Sequence, residues 1–148
     1  MKLLAALSLL LLAAPALAQN TVYIPAILEL SGPGAVSGTN FRDGILLAIE
    51  EINAKGGILG KKIDTPILDT QSDAGISRAQ IQKVIDNKPY VIIGPVYSGS
   101  VLVDMALAAQ AEIPEIVGGE AAAITQKGNK YVFRTSFGQQ FSMPKIAN

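Results

Sequence analysis

Along this chain, apolar runs rich in β-branched residues alternate with segments of helical period, and that order leaves few folds open. Residues 22–30 (VYIPAILEL) predict a first strand, broken by Ser31-Gly32-Pro33-Gly34. Over 40–54 the apolar positions Phe41, Ile45, Leu46, Ala48, Ile49 and Ile52 recur at spacings of three and four. They predict an amphipathic helix, capped by Thr39 or Asn40 and stopped by Gly56-Gly57. Residues 62–69 (KIDTPILD) predict a second strand, and Pro66 makes it an edge strand or an irregular one. Ser72-Asp73 caps a second predicted helix that runs to Asn87. Residues 90–94 (YVIIG) predict a short third strand buried on both faces. A third helix starts at Ser98 or Ser100 and runs to about Ala111, followed by a fourth strand at 113–117. A short helical turn at 121–125, a fifth strand at 130–135 and a helix from Gln139 complete the pattern.

Repeated strand–helix order predicts an α/β fold: a parallel sheet between two helical layers, joined by right-handed crossovers. In such sheets ligands bind beyond the carboxyl ends of the strands, where the strand order reverses. Loops 31–38, 96–100 and 118–122 fall on that edge, and all three are rich in Gly, Ser or Ala. Small residues let a ligand come close to backbone N–H groups. Residues 144–148 stay in helical register with no stop signal, so the last helix is expected to be cut short inside a larger protein.

The amino terminus carries a different signal. Lys2 precedes an almost unbroken Leu/Ala run over 3–14, Pro15 ends it, and Ala16-Leu17-Ala18 places small residues at the two positions a signal peptidase reads. Residues 1–18 are therefore expected to be a cleaved secretory signal, leaving 19–148 as one domain. The apolar core is shorter than the roughly 20 residues that a spanning helix needs. The chain has no Cys, so neither a lipoprotein anchor nor a disulfide is open to it, and its packed core must hold the fold.

Composition removes several functions. There are 12 basic and 12 acidic residues; loss of Lys2 with the leader leaves 11 against 12, a net charge of −1. That is no footprint for nucleic acid. With no His and no Cys, the chain cannot build a Ser-His or Cys-His nucleophile pair or the usual zinc centres. No cofactor or metal is implied.

Three loop motifs remain as candidate sites. Gly32, Gly34 and Gly38 give G-x-G-x-x-x-G, one residue longer than the dinucleotide fingerprint. Asp69 follows too late to be its acidic partner, so a plain turn is favoured. Tyr97-Ser98-Gly99-Ser100 starts a helix, where free N–H groups and a positive dipole end suit a carboxylate; helix capping is the simpler role for its serines. Gly118-Gly119-Glu120-Ala121 follows the fourth strand as a turn that permits close approach. Glu120 there is either a contact for an amino or hydroxyl group or a solvated charge. Asp69 and Asp73 read as loop and cap residues, too few for a calcium site.

With those residues in view, the chain resembles the periplasmic substrate-binding proteins of branched-chain amino acid ABC transporters, the Leu/Ile/Val-binding type. The carrying stretches are Leu30-Ser31-Gly32-Pro33, GILLAIEEINAKGGILG over 44–60, YVIIGPVYSGS over 90–100, and residues 113–125. The resemblance implies the amino-terminal lobe of a type I periplasmic binding protein, without its second lobe. Such a protein is a non-catalytic, monomeric carrier of amino acids that delivers its ligand to a permease in the inner membrane. It implies that Ser98 binds the ligand carboxylate, with Tyr97, Gly99 and Ser100 around it. It also implies that Gly119 offers a carbonyl to the ligand amino group. Two positions depart from the family: Ala121 lacks the hydroxyl expected there, and Ser37 stands where leucine binders have an aromatic residue. Aromatic acids or amides are therefore alternative ligands. A sensing domain of a receptor is an alternative role. An exported enzyme is disfavoured because no nucleophile elbow or His is present.

Overall fold

The computed structural model describes residues 21–147. The expected leader over 1–18 lies outside the described residues. The strands are β1 (Thr21–Tyr23), β2 (Ala26–Leu28), β3 (Lys62–Asp64), β4 (Ile67–Asp69), β5 (Ile92–Ile93), β6 (Glu115–Val117) and β7 (Val132–Arg134). The helices are α1 (Ala35–Ala54), α2 (Ala74–Ile85), α3 (Ser98–Gln110), α4 (Ala123–Gln126) and α5 (Gln139–Ile146). Every strand pairing is parallel, as the alternation predicts. None of the described helices is long and apolar enough to cross a membrane.

Two of the expected strands are each broken once. β1 and β2 are separated by Ile24-Pro25, and β3 and β4 by Thr65-Pro66. Proline has no N–H to give to a ladder. The pairs stay in step across the breaks, because Ile24 N–H reaches the Asp64 carbonyl and Ala26 N–H that of Pro66, both at 2.9 Å. The outcome is a two-stranded sheet, β1-β3, that leads into a five-stranded one with the order β4-β2-β5-β6-β7. β4, which follows Pro66, is an edge strand, as its proline predicts. The chain moves outward from β2 to β4 and then returns past β2 to β5. Strand order therefore reverses between β2 and β5.

The core lies on one side of the sheet. Ile27, Ile92, Ile81, Val84, Ala108 and Ile113 join the sheet to α2 and α3. Val101, Met105, Val117, Ile124 and Val132 continue it under α4. The opposite side carries α1, whose only fully buried residue is Gly38. Its apolar stripe (Phe41, Ile45, Ile49) and the sheet residues Ile93 and Ile116 line an open groove of about 510 Å³. Residues 90–94 are therefore not buried on both faces: Ile92 points into the core, Ile93 faces this groove, and Tyr90 is 67% exposed.

α1 starts at Ala35, five residues before Asn40, with Gly34 as its N-cap. Neither Thr39 nor Asn40 caps it; the Thr39 hydroxyl instead donates back to the Ala35 carbonyl at 2.6 Å. A side chain at Gly38 would collide with the Glu29 carbonyl, so glycine there lets α1 lie directly on the end of β2. Ser37 consequently sits in the first turn of a helix, not in a loop. Asp73 caps α2 as expected, its carboxylate accepting the Ile76 N–H at 2.8 Å.

Candidate functional site

The point of reversal is organised by a residue that reads as an ordinary strand position. Glu29 follows β2 and is completely buried. Its carboxylate accepts the N–H of Val96 at 3.0 Å and of Tyr97 at 3.2 Å. A buried carboxylate is tolerated only when it is hydrogen-bonded in this way. The bonds pin the segment between β5 and α3 against β2, and so fix where α3 begins.

Tyr97 is the N-cap of α3, in an extended conformation and without a side-chain cap. Ser98, the next residue, does not cap its own helix either. Its hydroxyl oxygen accepts two backbone N–H groups from the loop after β6, those of Glu120 and Ala121, both at 3.1 Å. With both lone pairs engaged, the Ser98 hydroxyl has only its hydrogen left to offer, and it acts towards a ligand as a donor. The first-turn N–H groups of α3 have no intrahelical acceptor, and the helix dipole adds positive potential there.

The loop after β6 is held from its other side as well. The Ser136 hydroxyl donates to the Gly119 carbonyl at 3.1 Å. The Arg134 guanidinium donates to the carbonyls of Ala121 at 3.1 Å and Glu120 at 3.4 Å. A Cβ at Gly119 would lie 2.7 Å from Ile124 Cδ1, so glycine lets the turn close onto α4.

Between these loops is a polar cleft of about 280 Å³, lined by Ser37, Val96, Tyr97, Ser98, Gly118, Glu120 and Gln139. It brings together five of the residues that the sequence singles out: Ser37, Tyr97, Ser98, Gly118 and Glu120. Gly99 is exposed beside it, and Ser100 is only 3% exposed and turned into the fold. Gly119 and Ala121 do not line the cleft; the Ala121 N–H is held by the Ser98 hydroxyl and the Gly119 carbonyl by that of Ser136. The Tyr97 ring packs over Gly34, where a Cβ would come within 2.8 Å of its Cζ. The larger groove under α1 has no charged lining residue and lies away from the converging helix starts.

The loop after β2 is tied down by Asp69. Its Oδ1 accepts the N–H groups of Leu30 at 2.9 Å, Ser31 at 3.2 Å and Gln71 at 2.8 Å, and its Oδ2 accepts the Ser31 hydroxyl at 2.7 Å. Burial pushes its pKa up, but the bonds from Ser31, Gln71 and Leu30 outweigh that and hold it below the usual carboxylate value. Asp69 is thus a loop brace, as the sequence suggests. Among the described residues no group of three His, Cys, Asp or Glu is placed to hold a metal ion.

Sequence reasoning missed Glu29, Ser136, Arg134 and Gln139. For Glu29 a signal exists: it is the one acid in an otherwise apolar strand. The other three stand out only when β7 and α5 are folded beside the loop after β6.

Comparison with known proteins agrees with this geometry. The periplasmic binding protein family matches residues 21–148. A Leu/Ile/Val-binding protein of Rhizobium johnstonii is 33% identical over 123 residues, covering 80% of this chain and 33% of the relative. Among solved structures, the branched-chain amino acid transporter substrate-binding protein of Streptococcus pneumoniae, in complex with isoleucine, superimposes with a TM-score of 0.78. It is 32% identical and covers 82% of this chain and 35% of its own. A solute-binding protein of an ABC transporter from Rhodopseudomonas palustris, in complex with 3,4-dihydroxybenzoic acid, gives 0.73 at 29% identity, covering 80% of this chain and 32% of its own. The chain thus spans about a third of the length of the relatives it matches. By its sequence, its parallel α/β sheet and these likenesses, the chain belongs to the periplasmic binding protein family.

Proposed function

We propose that residues 19–148 form the amino-terminal ligand-binding lobe of a solute-binding protein for an ABC importer, exported by the signal at 1–18. The protein works as a soluble periplasmic monomer, binds a small carboxylate-bearing solute, foremost an amino acid, and delivers it to a permease in the inner membrane. It makes and breaks no covalent bonds. The observation that carries this reading is the Ser98 hydroxyl. Held as a donor by Glu120 and Ala121, it stands at the free N–H groups of α3 and faces the polar cleft. A carboxylate placed there receives a hydroxyl hydrogen, N–H groups and the helix dipole together.

Tyr97 and Ser37 shape the same cleft. The Tyr97 ring offers a flat apolar wall next to the anion donors, which favours an aromatic acid as the second ligand class. The R. palustris neighbour bound to 3,4-dihydroxybenzoic acid is a precedent for that class within the family. Thermal denaturation of the protein, produced from its complete reading frame, against L-amino acids and aromatic acids tests the reading. A ligand at a hundred times its Kd adds about 2.7 kcal/mol of stability, a shift of several degrees. The absence of any shift across both classes would refute the carboxylate reading.

A further inference from the structure

We propose that the edge of the sheet opposite the cleft docks reversibly on an anionic phospholipid surface, with Leu59 as its apolar tip and lysines around it. The inference stands apart from the reading of the cleft and goes beyond it.

Because every strand pair is parallel, the loops that enter strands open on one edge and those that leave strands open on the other. Charge divides with them. On the entering edge, residues 55–62 hold Lys55, Lys61 and Lys62, residues 83–91 hold Lys83 and Lys88, and residues 127–131 hold Lys127 and Lys130. All seven are exposed, against two acids in the loops of that edge, Asp86 and Glu112, a net charge of +5. On the cleft edge, loops 29–34, 69–73, 94–97 and 118–122 hold four acids and no Lys or Arg. The ends of α1, α2 and α3 lie on the lysine edge and carry about half a negative charge each, which offsets less than two of the five. Lys62 donates to the Asn53 carbonyl at the end of α1, and Lys130 lies over the Tyr131 ring; both keep their charge. Among the described residues no ion pair holds any of the seven.

The apolar tip is one that folding alone does not explain. Ile58 and Lys61 exchange N–H···O bonds of 2.8 and 2.9 Å around Leu59 and Gly60. Both central residues have positive φ, 51° and 78°, the pattern of a type I′ turn, for which Asn-Gly is the favoured pair. Leu59 takes this left-handed conformation at a steric cost, and its side chain is 98% exposed. Beside it, Ile58, Tyr90 and Lys61 line a mostly apolar hollow of about 380 Å³. A leucine at the apex of a closed turn enters the boundary below lipid headgroups, while flanking lysines meet the phosphates. The charge is spread over three loops of one edge, which matches a laterally uniform anionic surface.

Flotation of the protein from its complete reading frame tests the proposal. The probes are vesicles of phosphatidylglycerol and phosphatidylcholine in equal parts, and vesicles of phosphatidylcholine alone. The protein is expected to bind the anionic vesicles at low salt and not the neutral ones. It should leave them in about 1 M NaCl, where the Debye length is about 3 Å. Leu59→Asn suits the turn and should weaken vesicle binding about tenfold while unfolding at or above the wild-type temperature. Lys61→Gln should weaken binding about fivefold, the scale of one lysine at an anionic surface, and Lys145→Gln on α5 should leave it unchanged. Failure to float with anionic vesicles, equal flotation with neutral ones, or wild-type binding by Leu59→Asn overturns the proposal. So does binding to native membranes that protease treatment abolishes, without binding to lipid vesicles, since that assigns the edge to a protein partner.

Discussion

The buried carboxylate of Glu29 accepts the N–H groups of Val96 and Tyr97, at 3.0 and 3.2 Å, and so joins the end of β2 to the start of α3. Val96 and Tyr97 in turn line the cleft. Glu29→Ala leaves two buried N–H groups unpaired and opens a cavity. We expect a loss of about 3 kcal/mol in denaturant unfolding. Glu29→Gln keeps one acceptor oxygen and loses less. A Glu29→Gln variant as stable as wild type would mean that the side chain's bulk matters and its charged hydrogen bonds do not.

Two further carboxyls are buried without such support. Asp104 on α3 and Glu115 on β6 are both fully buried. Asp104 Oδ2 accepts the Ser77 hydroxyl at 2.5 Å, while its Oδ1 and both Glu115 oxygens have no hydrogen-bond partner. Burial raises the Asp104 pKa to about 7, against the pull of the Ser77 bond and with help from the Glu29 charge. Burial and then the Asp104 charge push that of Glu115 well above its ordinary value. Both folded values lie above the unfolded ones. The stability they contribute is therefore complete below about pH 4 and is lost as pH rises through 7 and beyond. Each pH unit between the unfolded and the folded value costs about 1.4 kcal/mol per group, and the loss levels off above the folded value. The Tm should fall as pH rises from about 4 to about 7, and fall less in Glu115→Gln. A parallel decline in wild type and variant would show that these carboxyls do not titrate in that range.

Gly38 tests the seating of α1 on the sheet. A methyl group there meets the Glu29 carbonyl, a backbone atom that cannot swing aside. Gly38→Ala should therefore destabilise, although alanine is the better helix former by about 1 kcal/mol. Gly44 lies on the same helix with nothing near its absent Cβ, so Gly44→Ala should stabilise. Chemical denaturation of the two variants gives opposite signs if α1 sits as described.

The groove beneath α1 leaves Ile45, Ile49, Ile93 and Ile116 open to water in the described residues. An apolar surface of this kind takes up hydrophobic dyes. The 148-residue chain should enhance anilinonaphthalene sulfonate fluorescence while keeping native circular dichroism, and Ile45→Ser should reduce the enhancement. A chain that gives no enhancement has its groove closed.

The sheet, its parallel sense and the edge on which the cleft lies were legible because strand and helix leave different periods in the apolar residues. What escaped depends on contacts between distant segments. The start of α1 at Ala35 is hidden because Ala35-Val36-Ser37-Gly38 has the composition of a loop; only the fit of Gly38 against Glu29 makes it helical. The breaks at Pro25 and Pro66 are local, yet the bonds that bridge them come from the neighbouring strand. Ser98 was legible as a helix-start serine. Its double acceptance from Glu120 and Ala121 was not, since those residues lie more than twenty positions further along the chain. Ser100 has the same local composition and is buried, because two further residues around the helix turn it from cleft to core.

Ser98 is the pivot of the functional reading, and calorimetric titration of wild type and Ser98→Ala tests it directly. The tightest-binding carboxylate from the amino-acid and aromatic-acid panel serves as the probe, and the protein comes from its complete reading frame. The expected outcome is a loss of about tenfold or more in affinity for Ser98→Ala, with Ser98→Thr retaining part of it through its hydroxyl. Wild-type affinity in Ser98→Ala would contradict the account, for it would place the ligand carboxylate somewhere other than the start of α3.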